Sequence, residues 1–155
     1  MGGRDVCDTF SRLLYFQPLP LGIPNLTAAD LEYHTDAESL QITYDPSSLA
    51  YTTLLEFFYK MHDPTTKNRQ GGDSGTQYRS AIFYHNEEQE QQAKKVTEEA
   101  QKQWWKSSKI TTEILPAGQW WDAEDYHQRY LDVNPGGYEC PAHFIRNFAA
   151  LKLDE

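Results

Sequence analysis

The chain has 155 residues, with 14 Lys and Arg against 23 Asp and Glu and a formal net charge of -9. That length suits a single domain able to bury about two thirds of its unfolded surface. The acidic balance disfavours nucleic acid as the main partner, because phosphate binding needs clustered Lys and Arg. No apolar run approaches the roughly 20 residues that span a bilayer. Pro18, Pro20 and Pro24 interrupt the early Leu13, Leu14, Phe16, Leu19, Leu21 and Ile23, and no small-residue cleavage site follows, which argues against a signal peptide. Two cysteines, Cys7 and Cys140, are too few for a disulfide scaffold and suit an intracellular, cytoplasmic chain.

Residues 1–35 show no clear period, and prolines at that density remove ladder donors and stop helices, so they read as an irregular or disordered arm. Within it, Thr27 can cap a short helical turn reaching Glu32. The domain proper is expected over residues 36–155. Leu40, Ile42 and Tyr44 alternate with Gln41 and Thr43, predicting a half-buried strand ended by Asp45-Pro46. Leu54, Leu55, Phe58 and Met61 share a face of a helix over Tyr51–Met61, stopped by His62-Asp63-Pro64. A polar loop over 65–78 contains Gly71, Gly72 and Gly75 and leads into a strand over Ser80–Tyr84.

The longest predicted helix is Glu87–Trp105, with Ala93, Val96, Ala100 and Trp104 at helical spacing and Glu90–Lys94 and Glu98–Lys102 as charge pairs four apart. A strand over Thr111–Leu115 and a short helix over Ala123–Leu131 follow, and the coil from Asn134 is expected to wrap the domain. No internal repeat is visible. The alternation of strands and helices predicts an α/β sandwich, a mixed sheet covered by helices.

Several groups can carry chemistry. Asp73 and Tyr78 put a carboxylate and a phenol in one Gly-rich loop, where they can hold and protonate a polar oxygen; the plain alternative is a turn cap and a packing ring. Glu38, at a strand start, is either solvated or, if buried against aromatics, a general acid near neutral pH. Cys140 lies in coil, either as a thiol that swings to another cysteine or as a merely exposed one. Cys7 has carboxylates at Asp5 and Asp8, which disfavour its thiolate. The pairs Trp104-Trp105 and Trp120-Trp121 can stack sugars, or split between core and surface. His34, His62, His85, His127 and His143 show no metal-ligand spacing, and His127 reads as a structural residue.

Ala37-Glu38, Ile42-Thr43-Tyr44-Asp45-Pro46, Phe57-Phe58, His62-Asp63-Pro64, Asn68-Arg69-Gln70-Gly71, the Asp73–Ser80 loop, Ala123-Glu124-Asp125-Tyr126-His127-Gln128 and Asn134-Pro135 together resemble the methionine sulfoxide reductase A family. The ending Cys140-Pro141-Ala142-His143-Phe144 is similar to its fungal or yeast type. The resemblance implies the α/β core of that family and activity as a peptide-methionine (S)-S-oxide reductase. It makes the matching Glu38 the general acid, Asp73 and Tyr78 the holders of the sulfoxide oxygen, and Cys140 the resolving cysteine. In the family a thiolate attacks the sulfur and becomes a sulfenic acid, the resolving thiol closes a disulfide, and thioredoxin (or dithiothreitol in its place) reduces it. The implied substrates are oxidised proteins or free methionine-S-sulfoxide, with no bound cofactor, no metal and a monomeric protein.

The family's nucleophile lies in a Gly-Cys-Phe-Trp motif, and the 155 residues contain none. Gly3 stands where the family has a second oxygen-binding tyrosine, and Cys7 aligns with a non-catalytic family cysteine. Residues 8–35 match nothing in that alignment and are expected to be aberrant sequence, translated from an intron behind a displaced start. The other reading is a non-catalytic member that binds methionine sulfoxide, or a redox partner through Cys140.

Overall fold

The computed structural model describes residues 37–118, 120, 122 and 125–153. The arm over 1–35, with Cys7, and the start of the helix expected at Ala123 lie outside them.

Helix α1, Tyr51–Met61, has the bounds the spacing predicts and buries Leu54, Leu55 and Tyr59. Tyr59 was not among the expected face residues, yet it is fully buried, and its phenol shares a 2.6 Å hydrogen bond with Thr97. Helix α2, Glu87–Gln103, starts where the Asn86 side chain accepts the Gln89 N–H, with Glu87, Glu88 and Glu90 in the first turn complementing the helix dipole. Ala93, Val96 and Ala100 on its inner face are fully buried. Lys94 pairs with Glu90 at 2.6 Å, and Lys102 pairs with its neighbour Glu99 at 2.7 Å.

The α/β class is borne out. Strand β1, Arg69–Gln70, pairs antiparallel with β2, Asp73–Ser74, while β3, Ala81–Tyr84, pairs parallel with β4, Glu113–Pro116, Ile82 opposite Ile114. A parallel pair needs a crossover, and α2 supplies it. The core forms where α1, α2 and this pair meet, around Leu55, Tyr59, Ile82, Val96, Ile110 and Leu151.

Two expectations are corrected. The 40–44 segment is not a strand: it has no regular secondary structure, with Ile42 37% exposed, and joins the domain through Glu38 N–H to the Gln77 carbonyl at 2.9 Å. Alternation makes a ladder only where a neighbouring strand edge is available. The expected helix to Leu131 is, over residues 125–129, a set of turns, and one helical turn, α3, covers Tyr130–Val133. Arg129, with φ 53°, is left-handed and cannot continue a right-handed helix.

The C-terminal coil does wrap the domain. Phe148 stacks on Trp104 at 5.1 Å and meets Trp105 edge-on at 5.5 Å, so that tryptophan pair packs on the core rather than facing a ligand. The Arg146 N–H donates to the Lys60 carbonyl at 2.9 Å, and its guanidinium lies over the Trp105 ring.

His62 closes α1. Its Nδ1 is 2.6 Å from the Phe58 carbonyl and its Nε2 2.7 Å from the Ser80 hydroxyl, which also meets Thr112 at 2.8 Å. Burial pushes its pKa down to about 4. Below the ordinary value of 6.5 the unfolded chain therefore takes up a proton that the folded chain refuses. This stabilisation is complete above that value and is lost as pH falls towards 4, by about 3 kcal/mol. Glu38, whose pKa is raised, acts in the opposite sense in every variant that retains it. Denaturant titrations should show native stability falling by about that much more between pH 7 and 4 than the stability of His62→Gln. Equal falls would show that His62 is not held neutral.

Candidate active site

The loop between α1 and β3 is tied at its base. The Gln70 side chain accepts the Asp63 N–H and donates to the Asp63 carbonyl, at 3.2 and 2.7 Å. The Asp63 carboxylate accepts the Thr65 N–H and hydroxyl. With that base set, β1 turns into β2 through Gly71-Gly72. Gly71 has φ 55°, and a side chain there would also press to 3.2 Å from Ala142 and 3.4 Å from the Cys140 sulfur. Glycine is needed on both counts.

The 480 Å³ cavity above this loop is lined by all four described residues singled out from the sequence: Glu38, Asp73, Tyr78 and Cys140. Four segments deliver them: the stretch before α1, strand β2, the short helical turn Thr76–Tyr78, and the C-terminal coil. Cys7 lies outside the described residues. His62, Gln70, Tyr138 and His143 share the lining, Phe58, Met61 and Leu131 give it an apolar wall, and His127 reaches it from the turns before α3.

Burial pushes the Glu38 carboxyl up to about 7, and the nearby negative charge of Asp73 adds to the push. Glu38 is therefore a proton donor poised at neutral pH. Burial and the two carboxylates hold the Tyr78 phenol above its ordinary value, so it remains a donor. The Tyr138 hydroxyl donates to Asp73 Oδ2 at 2.9 Å. Cys140, half-buried, points its thiol at the Gln70 carbonyl at 3.6 Å, and burial raises its pKa. Desolvation lowers that of His143. Among the described residues no cluster of three or more His, Cys, Asp or Glu is placed to hold a metal ion.

Sequence reasoning missed Tyr138, whose partner is 65 residues away. The available signal was its position two residues before Cys140.

With an acid, a phenol and a thiol around one cavity, the comparisons with known proteins fall into place. Residues 26–152 match the family model described as peptide methionine sulfoxide reductase, so residues 26–35 lie within the match. A probable peptide methionine sulfoxide reductase of Schizosaccharomyces pombe is 57% identical over 110 residues, 71% of this chain and 65% of that protein. The peptide methionine sulfoxide reductase MsrA of Mycobacterium tuberculosis is 48% identical over 124 residues, 80% of this chain and 66% of that protein. The crystal structure of Mxr1 from Saccharomyces cerevisiae in reduced form superposes with a TM-score of 0.63 at 47% identity, covering 67% of this chain and 56% of that one. Methionine sulfoxide reductase A of Corynebacterium diphtheriae gives 0.63 at 35% identity, covering 84% and 64%. The chain belongs to the peptide methionine sulfoxide reductase family. It spans just under two thirds of the length of these curated relatives.

Carbon-13 NMR of the Glu38 carboxyl should titrate near 7. Asp73→Asn removes a negative neighbour, which favours the ionised form, so the midpoint should fall. An ordinary midpoint in the unaltered chain, or no fall in the variant, contradicts this electrostatic account.

Proposed function

We propose that this cavity is the sulfoxide-binding site of a peptide-methionine (S)-S-oxide reductase acting on methionine-S-sulfoxide, free or in oxidised proteins. The single observation that carries the reading is the placement of Glu38, with its carboxyl raised to about 7, beside Tyr78 and Asp73 in one cavity with an apolar wall.

A sulfoxide oxygen is a poor leaving group until protonated, so an acid and a phenol on one side of the cavity define where the oxygen sits. Glu38 gives it a proton and Tyr78 donates a hydrogen bond. Asp73 adds its negative charge to the burial that raises the Glu38 carboxyl. Phe58 and Met61 shield the methionine side chain from water. Attack at sulfur needs a thiolate; the sequence holds no Gly-Cys-Phe-Trp to supply it, Cys7 aligns with a non-catalytic family cysteine, and Cys140 is the proposed resolving thiol that closes the disulfide. Thioredoxin is the proposed reductant. Its docking is favoured by the exposed apolar side chains around Cys140, with Tyr138 61%, Phe144 56% and Ile145 66% exposed.

A second reading, binding of the sulfoxide without turnover, is favoured by one feature: the sequence holds no Gly-Cys-Phe-Trp.

The test is reduction of a chromophoric methionine sulfoxide by the full chain with dithiothreitol. The expected result is turnover of the S epimer that falls roughly 100-fold or more in Glu38→Gln; its disappearance in Cys7→Ser would make Cys7 a substitute nucleophile, against its alignment with a non-catalytic cysteine. Turnover indifferent to Glu38→Gln contradicts the assignment of the acid. Affinity for the S epimer without turnover supports the second reading.

A further inference from the structure

The C-terminal coil is strongly anchored beyond the cavity, where Arg146 binds the Lys60 carbonyl and Phe148 packs on Trp104 and Trp105. Before the cavity it turns at Gly137, whose N–H donates to the Asn134 carbonyl at 2.8 Å. The Tyr130 ring packs so closely against Gly137 that a side chain there would come within 2.5 Å of it, so this turn aims the following residue. Between these anchors, two side-chain bonds hold the coil to the Gly-rich loop: Tyr138 Oη to Asp73 Oδ2 at 2.9 Å and Cys140 Sγ to the Gln70 carbonyl at 3.6 Å. A thiol is a weak donor, whereas a bond to a charged carboxylate is among the stronger ones. The Tyr138 side chain is 61% exposed, so its position rests on its hydroxyl rather than on packing of its ring.

We propose that Tyr138 is a positioning residue: its bond to Asp73 seats the C-terminal coil on the Gly-rich loop and keeps the Cys140 thiol in the cavity until that bond opens. Exchange with another sulfur requires an open approach to the Cys140 sulfur, and while the coil is seated the Gln70 carbonyl and the Gly71 backbone lie against one side of that sulfur. The same carboxylate thus serves two groups, adding to the burial that raises the Glu38 pKa and holding the coil that carries Cys140. The bond to Asp73 pushes the Tyr138 phenol up to about 12, so it remains a donor at neutral pH. That the released thiol then exchanges with another sulfur rests on the proposed function; the placement of the coil does not.

The test is alkylation of Cys140 by iodoacetamide in the full chain, read by peptide mass spectrometry so that Cys7 is scored separately. Rates are fitted against pH to separate access from thiolate fraction. In Tyr138→Phe, which keeps the ring and removes the hydroxyl, the access-limited rate should rise about tenfold, the scale of one bond to a charged group. Asp73→Ala also removes the carboxylate that meets the Cys140 thiol, so it should raise the rate at least as much, and the double variant should not exceed Asp73→Ala. An unchanged rate in Tyr138→Phe, or single effects that multiply in the double variant, overturns the proposal. Alkylation requires no sulfoxide chemistry, so absence of turnover bears on the proposed function and leaves this result intact.

Discussion

The buried contact between His62 and Ser80 is the constraint on which the cavity depends. It joins the last residue before the loop to the residue preceding β3, and so closes the ends of a loop that carries Gln70, Asp73 and Tyr78. Closing loop ends costs entropy that grows slowly with length. Here two shorter closures share that cost: the Asp63–Gln70 bonds within the loop and the β1–β2 hairpin that follows. Because the imidazole bonds the Phe58 carbonyl through its other nitrogen, α1 sets the ring's direction. The chain of cause runs from a helix end, through one ring, to a loop that presents a phenol and a carboxylate on the same side.

The electrostatics follow from that geometry. Glu38 is brought in by the segment before α1, and the bond from its own N–H to the Gln77 carbonyl places it beside Tyr78. Two carboxylates in a partly buried space cannot both ionise freely. Asp73 has the Tyr138 phenol as a donor, and Glu38 is the one pushed up to about 7, chiefly by burial, so it can still give up a proton near neutral pH. That proton is what acid chemistry on a sulfoxide oxygen requires. Asp73 is also the point where the acid and the cysteine-bearing coil meet.

Legibility in the sequence followed the range of the interaction. The bounds of α1 were readable because the apolar face and the His-Asp-Pro stop are local, and the start of α2 is marked by Asn86 and the acidic turn after it. The 40–44 alternation was misread because periodicity reports two unlike faces and says nothing of a partner edge. The turns before α3 were missed because the left-handed Arg129 leaves no mark in residue type. Residue chemistry within a Gly-rich loop left Asp73 and Tyr78 open between an oxygen-holding pair and a turn cap with a packing ring, and the family resemblance nominated them. Tyr138 was missed because its contact joins the hairpin to the distant C-terminal coil, and His62 read as a helix stop rather than as the bridge it forms.

The claim that the cavity is built around a sulfoxide oxygen is tested most directly by an NMR titration of the full chain, with methionine-S-sulfoxide and methionine compared as ligands. The account predicts that the sulfoxide perturbs Glu38, Asp73 and Tyr78 together, and that methionine, lacking the oxygen, does so far more weakly, because the donors then lose their acceptor. Equal responses to the two ligands, or sulfoxide-induced shifts confined to residues away from this cavity, would contradict it.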